Sequence, residues 1–200
     1  MPALIRSASL THYAELARAC GLDPLRMVAE AGLPSDCLRE PDLKIPADAV
    51  RELLERSAQR SGLETFGLRL AETRRLSNLG PLALLVREEA TLRGALDALA
   101  RYGALHNQAL FLHIEEVGPQ VVLRQEMVVG RGVPMRQSTE LALGVVFRLL
   151  RVLLGPGWTP RRVCFTHTAP VDRSLHERLF GPRVEFSHDF NGIVCTAGDL

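Results

Sequence analysis

The chain carries almost no excess charge of either sign: 24 lysines and arginines stand against 23 aspartates and glutamates, and Lys44 is the only lysine. A surface that grips nucleic acid usually has a clear positive excess, because neutralising phosphates supplies most non-specific affinity. DNA reading by these 200 residues is therefore not expected. The arginines are scattered, as Arg6, Arg18, Arg26, Arg39 and Arg51 show, and most have acidic neighbours, the pattern of solvated faces. Cysteine pairing motifs are also lacking. Cys20, Cys37, Cys164 and Cys195 lie far apart with no Cys-x-x-Cys, and nothing resembling a secretory leader precedes Ser9. Free thiols in a reducing cytoplasm are the expectation. The longest apolar run, residues 141–154, is interrupted by Arg148 and Arg151 and would rise only about 21 Å as a helix, short of a bilayer core. It reads as a core or interface helix, and no membrane partner is expected. There is no internal repeat, low-complexity tract or long linker.

The signatures of catalysis are missing too. The chain has no Gly-x-Ser-x-Gly, no phosphate-cradling Gly-x-x-x-x-Gly-Lys, and no pair of carboxylates set beside a nucleophile; Glu88-Glu89 and Glu115-Glu116 are adjacent residues, which helices and strands direct apart. The expectation is that this is not an enzyme. For metals, Cys164 and His167 are three apart, so a strand points them to opposite faces, and His188 with Asp189 falls in a turn that uses polar groups to satisfy its backbone. No metal and no cofactor are expected.

Helical signals dominate the first 75 residues. Leu10, Tyr13, Leu16, Ala17 and Cys20 recur at helical spacing until Gly21. Asp23 then serves as an N-cap with Pro24 at the first helical position, and Gly32 with Pro34 closes that helix. Ile45-Pro46 opens a third helix lined by Val50, Leu53, Leu54 and Ser57 until Ser61-Gly62, and residues 66–72 add a short one. The segment Glu15 to Val28 imitates a DNA-binding helix-turn-helix, but its second helix offers only Arg26, set against Glu30; a helix pair packed on the domain is the expected role.

From Gly80 the pattern stays helical to Val86, and Thr91 caps a segment carrying Leu92, Leu96, Leu99, Gly103 and His106 on one stripe. After Asn107 the period changes to two over residues 110–115 and 121–126, with Gly118-Pro119 as the hairpin loop. Residues 137–154 form the most hydrophobic helix, with Glu140, Gly144, Arg148 and Arg151 on one side. Its apolar remainder is either wrapped by the N-terminal helices or partly used in a two-fold interface. Residues 162–166 read as a strand, 174–180 as a helix, and Val184 to Phe186 with Ile193 to Cys195 as a closing hairpin around Asn191-Gly192. The sum is an α+β fold in a single domain over 1–200. A helical layer, residues 1–75, packs on an α+β part, residues 76–200, that holds a small antiparallel sheet and a long apolar helix.

Several short motifs keep a fixed order along the chain: Gly21-Leu22-Asp23-Pro24, Ala31-Gly32-Leu33-Pro34, Leu79-Gly80-Pro81, Thr91-Leu92, and Phe180-Gly181-Pro182-Arg183-Val184-Glu185-Phe186 running into Asn191-Gly192-Ile193-Val194. With these the chain resembles the N-terminal, arabinose-binding-like domain of AraC-type bacterial transcription regulators, over nearly its whole length. The resemblance implies a domain that binds a small-molecule effector and pairs subunits as a homodimer. It also implies that DNA is read by a separate C-terminal helix-turn-helix domain absent from these residues.

For the effector site, Tyr102 and His106 are one turn apart on a largely apolar helix leading into the sheet, and Arg124 or Gln125 can face them from the hairpin. The alternative keeps His106 as a core histidine bonded to a carbonyl and Tyr102 as an aromatic at the surface edge. A haem reading of His106 lacks the Tyr-x-Ser-x-Arg segment that accompanies haem in nitric-oxide sensors. A freestanding ligand-binding or scaffold protein, and less readily a small enzyme, are the rival readings.

Overall fold

The computed structural model describes residues 2–128 and 134–200. Local chemistry decides the first elements. Helix α1 (Tyr13–Ala19) stops where Gly21 takes a φ of 74°, a left-handed conformation open to glycine without steric cost. Asp23 Oδ1 then accepts the backbone N–H groups of Leu25 and Arg26, with Pro24 opening α2 (Pro24–Glu30). The α1–α2 pair is anchored by buried Tyr13, Ala17, Met27 and Val28, while Arg26 is held by Glu30 at 2.9 Å. Helix α3 (Ala47–Ser61) ends at left-handed Gly62, and α4 (Phe66–Glu72) follows.

This first part is not wholly helical, as the sequence pattern had suggested. Strands β1 (Leu4–Arg6) and β2 (Lys44–Pro46) pair antiparallel, with Ile5 opposite Ile45. The other edge of β1 reaches forward in the chain: Arg6 N–H donates to His106 O at 2.8 Å and Gln108 N–H to Leu4 O at 2.9 Å.

Helix α5 (Pro81–Glu88) leads to α6 (Leu92–Tyr102), whose first turn is capped by Thr91 Oγ1 accepting from Gly94 N–H. The chain then tightens into a 3₁₀ turn over Gly103–Leu105, so the stripe expected to carry His106 on α6 breaks at Tyr102. Strands β3 (Leu110–Val117) and β4 (Gln120–Met127) form the expected hairpin. Helix α7 (Arg136–Leu154), β5 (Arg162–Cys164), α8 (Ser174–Phe180), β6 (Val184–Glu185) and β7 (Asn191–Thr196) complete the α+β fold.

The five-stranded sheet has the order β3-β4-β7-β5-β6. The expected β6–β7 hairpin is not formed. Instead β7 pairs antiparallel with both β4 and β5, and β6 lies parallel to β5. The cause is connectivity: α8 joins β5 to β6 as a crossover, and strands joined through a helix run parallel.

Helix α7 lies between layers, with α3 and α4 on one side and β4 and β7 on the other. Leu143, Phe147 and Leu150 are buried there, each such side chain worth about 1.5–3 kcal/mol on leaving water. Of the side read from the sequence as polar, Gly144 and Arg148 turn toward α4 and the residues after it, and Glu140 is buried toward α8. A Cβ on Gly144 would stand 2.5 Å from Ala71 Cβ, and Arg148 Nε donates to Arg74 O at 2.9 Å. One continuous core cluster draws residues from Ile5 through Cys195. Among the described residues no helix is long and apolar enough to cross a membrane.

Candidate ligand pocket

Between α3, α6, α7 and the first residues of β3 the layers leave a cavity of about 160 Å³. Its walls are mostly hydrocarbon. Helix α7 contributes Leu141, Ala142, Val145 and Val146, α3 contributes Val50 and Leu54, and β3 contributes Leu110 and Leu112. This is the size of an engineered cavity of about 150 Å³ that admits benzene.

Arg74, Ser9 and His106 form a polar group at one end of the cavity, and Arg51 enters the wall separately, beside the start of α7. Arg74 follows α4 and is buried, 4% exposed, its Nη1 donating to Ala8 O at 2.9 Å and its Nη2 to Ser9 O. Burial holds its pKa down, to about 10. Among the described residues no carboxylate lies within ion-pair distance of it. Arg51, on α3, has Nη1 on Pro134 O at 3.3 Å and Nε 3.5 Å from Asp48 Oδ1, too long and misaligned for a hydrogen bond. Ser9 Oγ is buried with no hydrogen-bond partner among the described residues.

His106 also lines this end. Burial, and then the positive charges of Arg6, Arg74 and Lys44, lower its pKa to about 4, so the ring is neutral near pH 7. The Arg6 guanidinium can only donate, and it stands 3.5 Å from His106 Nδ1, which leaves Nε2 as the N–H donor of the neutral ring. Arg6 is itself paired with Asp42. A second hollow of about 150 Å³ adjoins this end and shares Arg74, Arg75, Leu79, Val145 and Leu149 with the first.

Of the four residues singled out from the sequence, the structure brings only His106 to the cavity. Tyr102 is 40% exposed at the last turn of α6. Arg124 points to the outer face of the sheet, gripping Glu115 with Nε at 2.7 Å and Nη2 at 3.1 Å, its guanidinium 4.7 Å from the centre of the Phe190 ring. Gln125 is buried on the inner face, one alternation before Met127, which does line the cavity. Ser9, Arg51 and Arg74 were missed. They come from separate segments, and nothing in their sequence surroundings set them apart: Arg74 stands between Thr73 and Arg75, and Arg51 between Val50 and Glu52.

Two other polar groupings stand apart from the cavity. Glu140, fully buried on α7, accepts from Arg136 Nε at 3.1 Å through Oε1, and the same oxygen lies 3.1 Å from His176 Nε2 and 3.4 Å from His167 Nε2. This cluster ties α7 to α8 and to the segment after β5. On the outer face of the sheet Cys164 meets Glu185 and His188 rather than His167, with donor atoms of the three within 4.8 Å of one another. Those donor types suit a transition metal, but Arg162 Nη1 already stands 3.8 Å from the Glu185 carboxylate. His188 Nδ1 also accepts Phe190 N–H at 3.4 Å, the turn-satisfying role expected of it.

Comparison with known proteins gives this geometry its setting. Residues 21–200 match the family described as the arabinose-binding domain of AraC transcription regulators, N-terminal. The HTH-type transcriptional regulator VirS of Mycobacterium tuberculosis is 31% identical over 191 residues, covering 94% of this chain and 56% of VirS, so the chain spans about half the length of that relative. The crystal structure of transcriptional regulator CdpR from Pseudomonas aeruginosa has a similar fold, with a TM-score of 0.64 at 16% identity, over 92% of this chain and 55% of that one. The ordered glycine–proline motifs, the α+β layers around a cavity and a family match running from residue 21 to residue 200 converge, and the chain belongs to the arabinose-binding N-terminal domains of AraC-type transcription regulators.

Proposed function

We propose that this chain is the effector-sensing part of its regulator, and that the effector binds in the cavity between α3, α6, α7 and β3. The observation that carries the reading is the cavity itself, an apolar space with hydrogen-bond donors collected at one end, the usual make-up of a small-molecule site. His106, Arg74 and Ser9 are the proposed polar contacts, and the α7 side chains the apolar ones. Because α7 lies between the N-terminal helices and the sheet, a ligand against it bears on both layers at once. The effect on transcription is bounded by how much better the ligand binds one arrangement of the layers than another. Operator DNA is read by a separate helix-turn-helix domain of the regulator, and the sensing part pairs with a second copy, as the family resemblance implies.

Thermal shift of the 200-residue chain against a metabolite panel tests this. One-site binding at a hundredfold excess over Kd stabilises by about 2.7 kcal/mol, which at this size is a rise in Tm of roughly 5–10 °C. A panel in which no compound shifts Tm contradicts the sensing role. Light scattering should give a mass twice that of the chain; a monomer at micromolar concentration contradicts the pairing.

A further inference from the structure

The charge on the cavity wall is one-sided. In a chain with 24 basic and 23 acidic residues, the described lining holds Arg51, Arg74 and Arg75 and no aspartate or glutamate. Arg74 is the telling member. Its guanidinium is buried with two backbone carbonyls as partners and no carboxylate, although a buried charge is costly unless an opposite charge offsets it. Carbonyl dipoles satisfy only part of its five N–H donors. Ser9 Oγ beside it has no hydrogen-bond partner among the described residues, and the neutral His106 ring has its Nε2–H to give. Every unsatisfied group at this end can donate to a ligand, and none is a carboxylate that would repel an anion.

We propose that the effector is a small organic monoanion, an aliphatic or aromatic carboxylate, with its carboxylate at the Arg74, Ser9 and His106 end and its hydrocarbon body against Leu141, Val145 and Val146 of α7. This deepens the sensing role proposed above and rests on it. The planar guanidinium fork matches a carboxylate geometrically as well as electrically. A neutral ligand would leave the Arg74 charge unpaired in a site it had just dried, and a cation would be repelled by it. The cavity volume admits a body of about a benzene ring or a short alkyl chain.

The test is calorimetric binding of hexanoate and benzoate to the 200-residue chain, beside hexanamide, benzamide and hexylamine as matched neutral and cationic probes. The acids should bind at least about tenfold tighter than their amides, the step expected when a buried charge gains or loses its partner. Arg74→Met should bring the acids down to the level of the amides. Arg74→Met removes two donors from the Ala8 and Ser9 carbonyls, so Arg51→Met is made alongside it, and the acid–amide comparison on the unaltered chain does not depend on either variant folding. Amides that bind as well as the acids, or an amine that binds better, overturn the anion assignment while leaving a sensor of neutral or cationic ligands standing. Failure of all five probes also overturns it, and the metabolite panel then decides the sensing role separately.

Discussion

At the scale of single residues the fold is marked by charges taken out of water. Glu140 is the deepest, and Arg136 and His176 depend on the same carboxylate oxygen, so its removal strands buried donors. Breaking one side of a buried ion pair typically costs about 3–5 kcal/mol. Glu140→Ala should lower the unfolding free energy obtained from urea denaturation by that much, with the midpoint falling accordingly; a midpoint unchanged from the parent chain would mean the cluster adds nothing. His106 gives a pH signature. Its pKa falls from 6.5 in the unfolded chain to about 4 in the fold, so between those values the unfolded chain binds the extra proton. Stability from this residue is therefore intact above pH 6.5 and lost progressively as pH falls toward 4, by at most about 3 kcal/mol. His106→Gln should flatten the stability profile across that window, and an equally steep profile in the variant would contradict the burial of the ring. Neither residue's environment was legible beforehand. Glu140 sat on what periodicity marked as the polar side of α7, and His106 was found by extending a helical stripe that ends four residues earlier.

Between elements, the α4–α7 contact sets how the N-terminal helices meet the rest. Gly67 N–H donates to Gln137 Oε1 at 2.8 Å, and a Cβ there would fall 2.0 Å from Gln137 O. Gly144 meets Ala71 in the same way one turn further along. Close approach of this kind tolerates no added methyl without moving a backbone. Gly144→Val should destabilise by about 1–3 kcal/mol in thermal denaturation, and Gly67→Ala by more, because a carbonyl rather than a side chain blocks it; a neutral result at both sites would contradict the close packing. The short helices were readable because their stops are local: Gly21, Asp23-Pro24 and Gly62 lie beside the elements they end. Strands β3 to β7 were readable as strands, but their pairing was readable only where the partner is a neighbour in sequence, as in β3–β4. Strands β1 and β2 have three residues each and partners about 40 positions apart, too short for alternation to register. Strand β7 finds β4 and β5 rather than β6, a choice made by the α8 crossover and not by any residue of β7.

For the whole molecule, the neutral charge balance and the cavity point the same way. A domain with 24 basic and 23 acidic residues has little general attraction for a polyanionic duplex, whereas Arg74, buried and without a carboxylate partner among the described residues, lines a space of small-molecule size. The family was legible from short motifs that sit at helix ends and turns, where backbone geometry restricts the residue type. The cavity was not legible, because its wall is assembled from α3, α6, α7, β3 and the segments around Ser9 and Arg74, which only tertiary packing brings together. The most direct measurement is a calorimetric titration of the panel's most stabilising compound into the parent chain and into Ala142→Phe, which fills the cavity from α7. The account predicts that the variant melts close to the parent and gives no heat of binding; undiminished affinity in the filled variant would show that the ligand sits elsewhere.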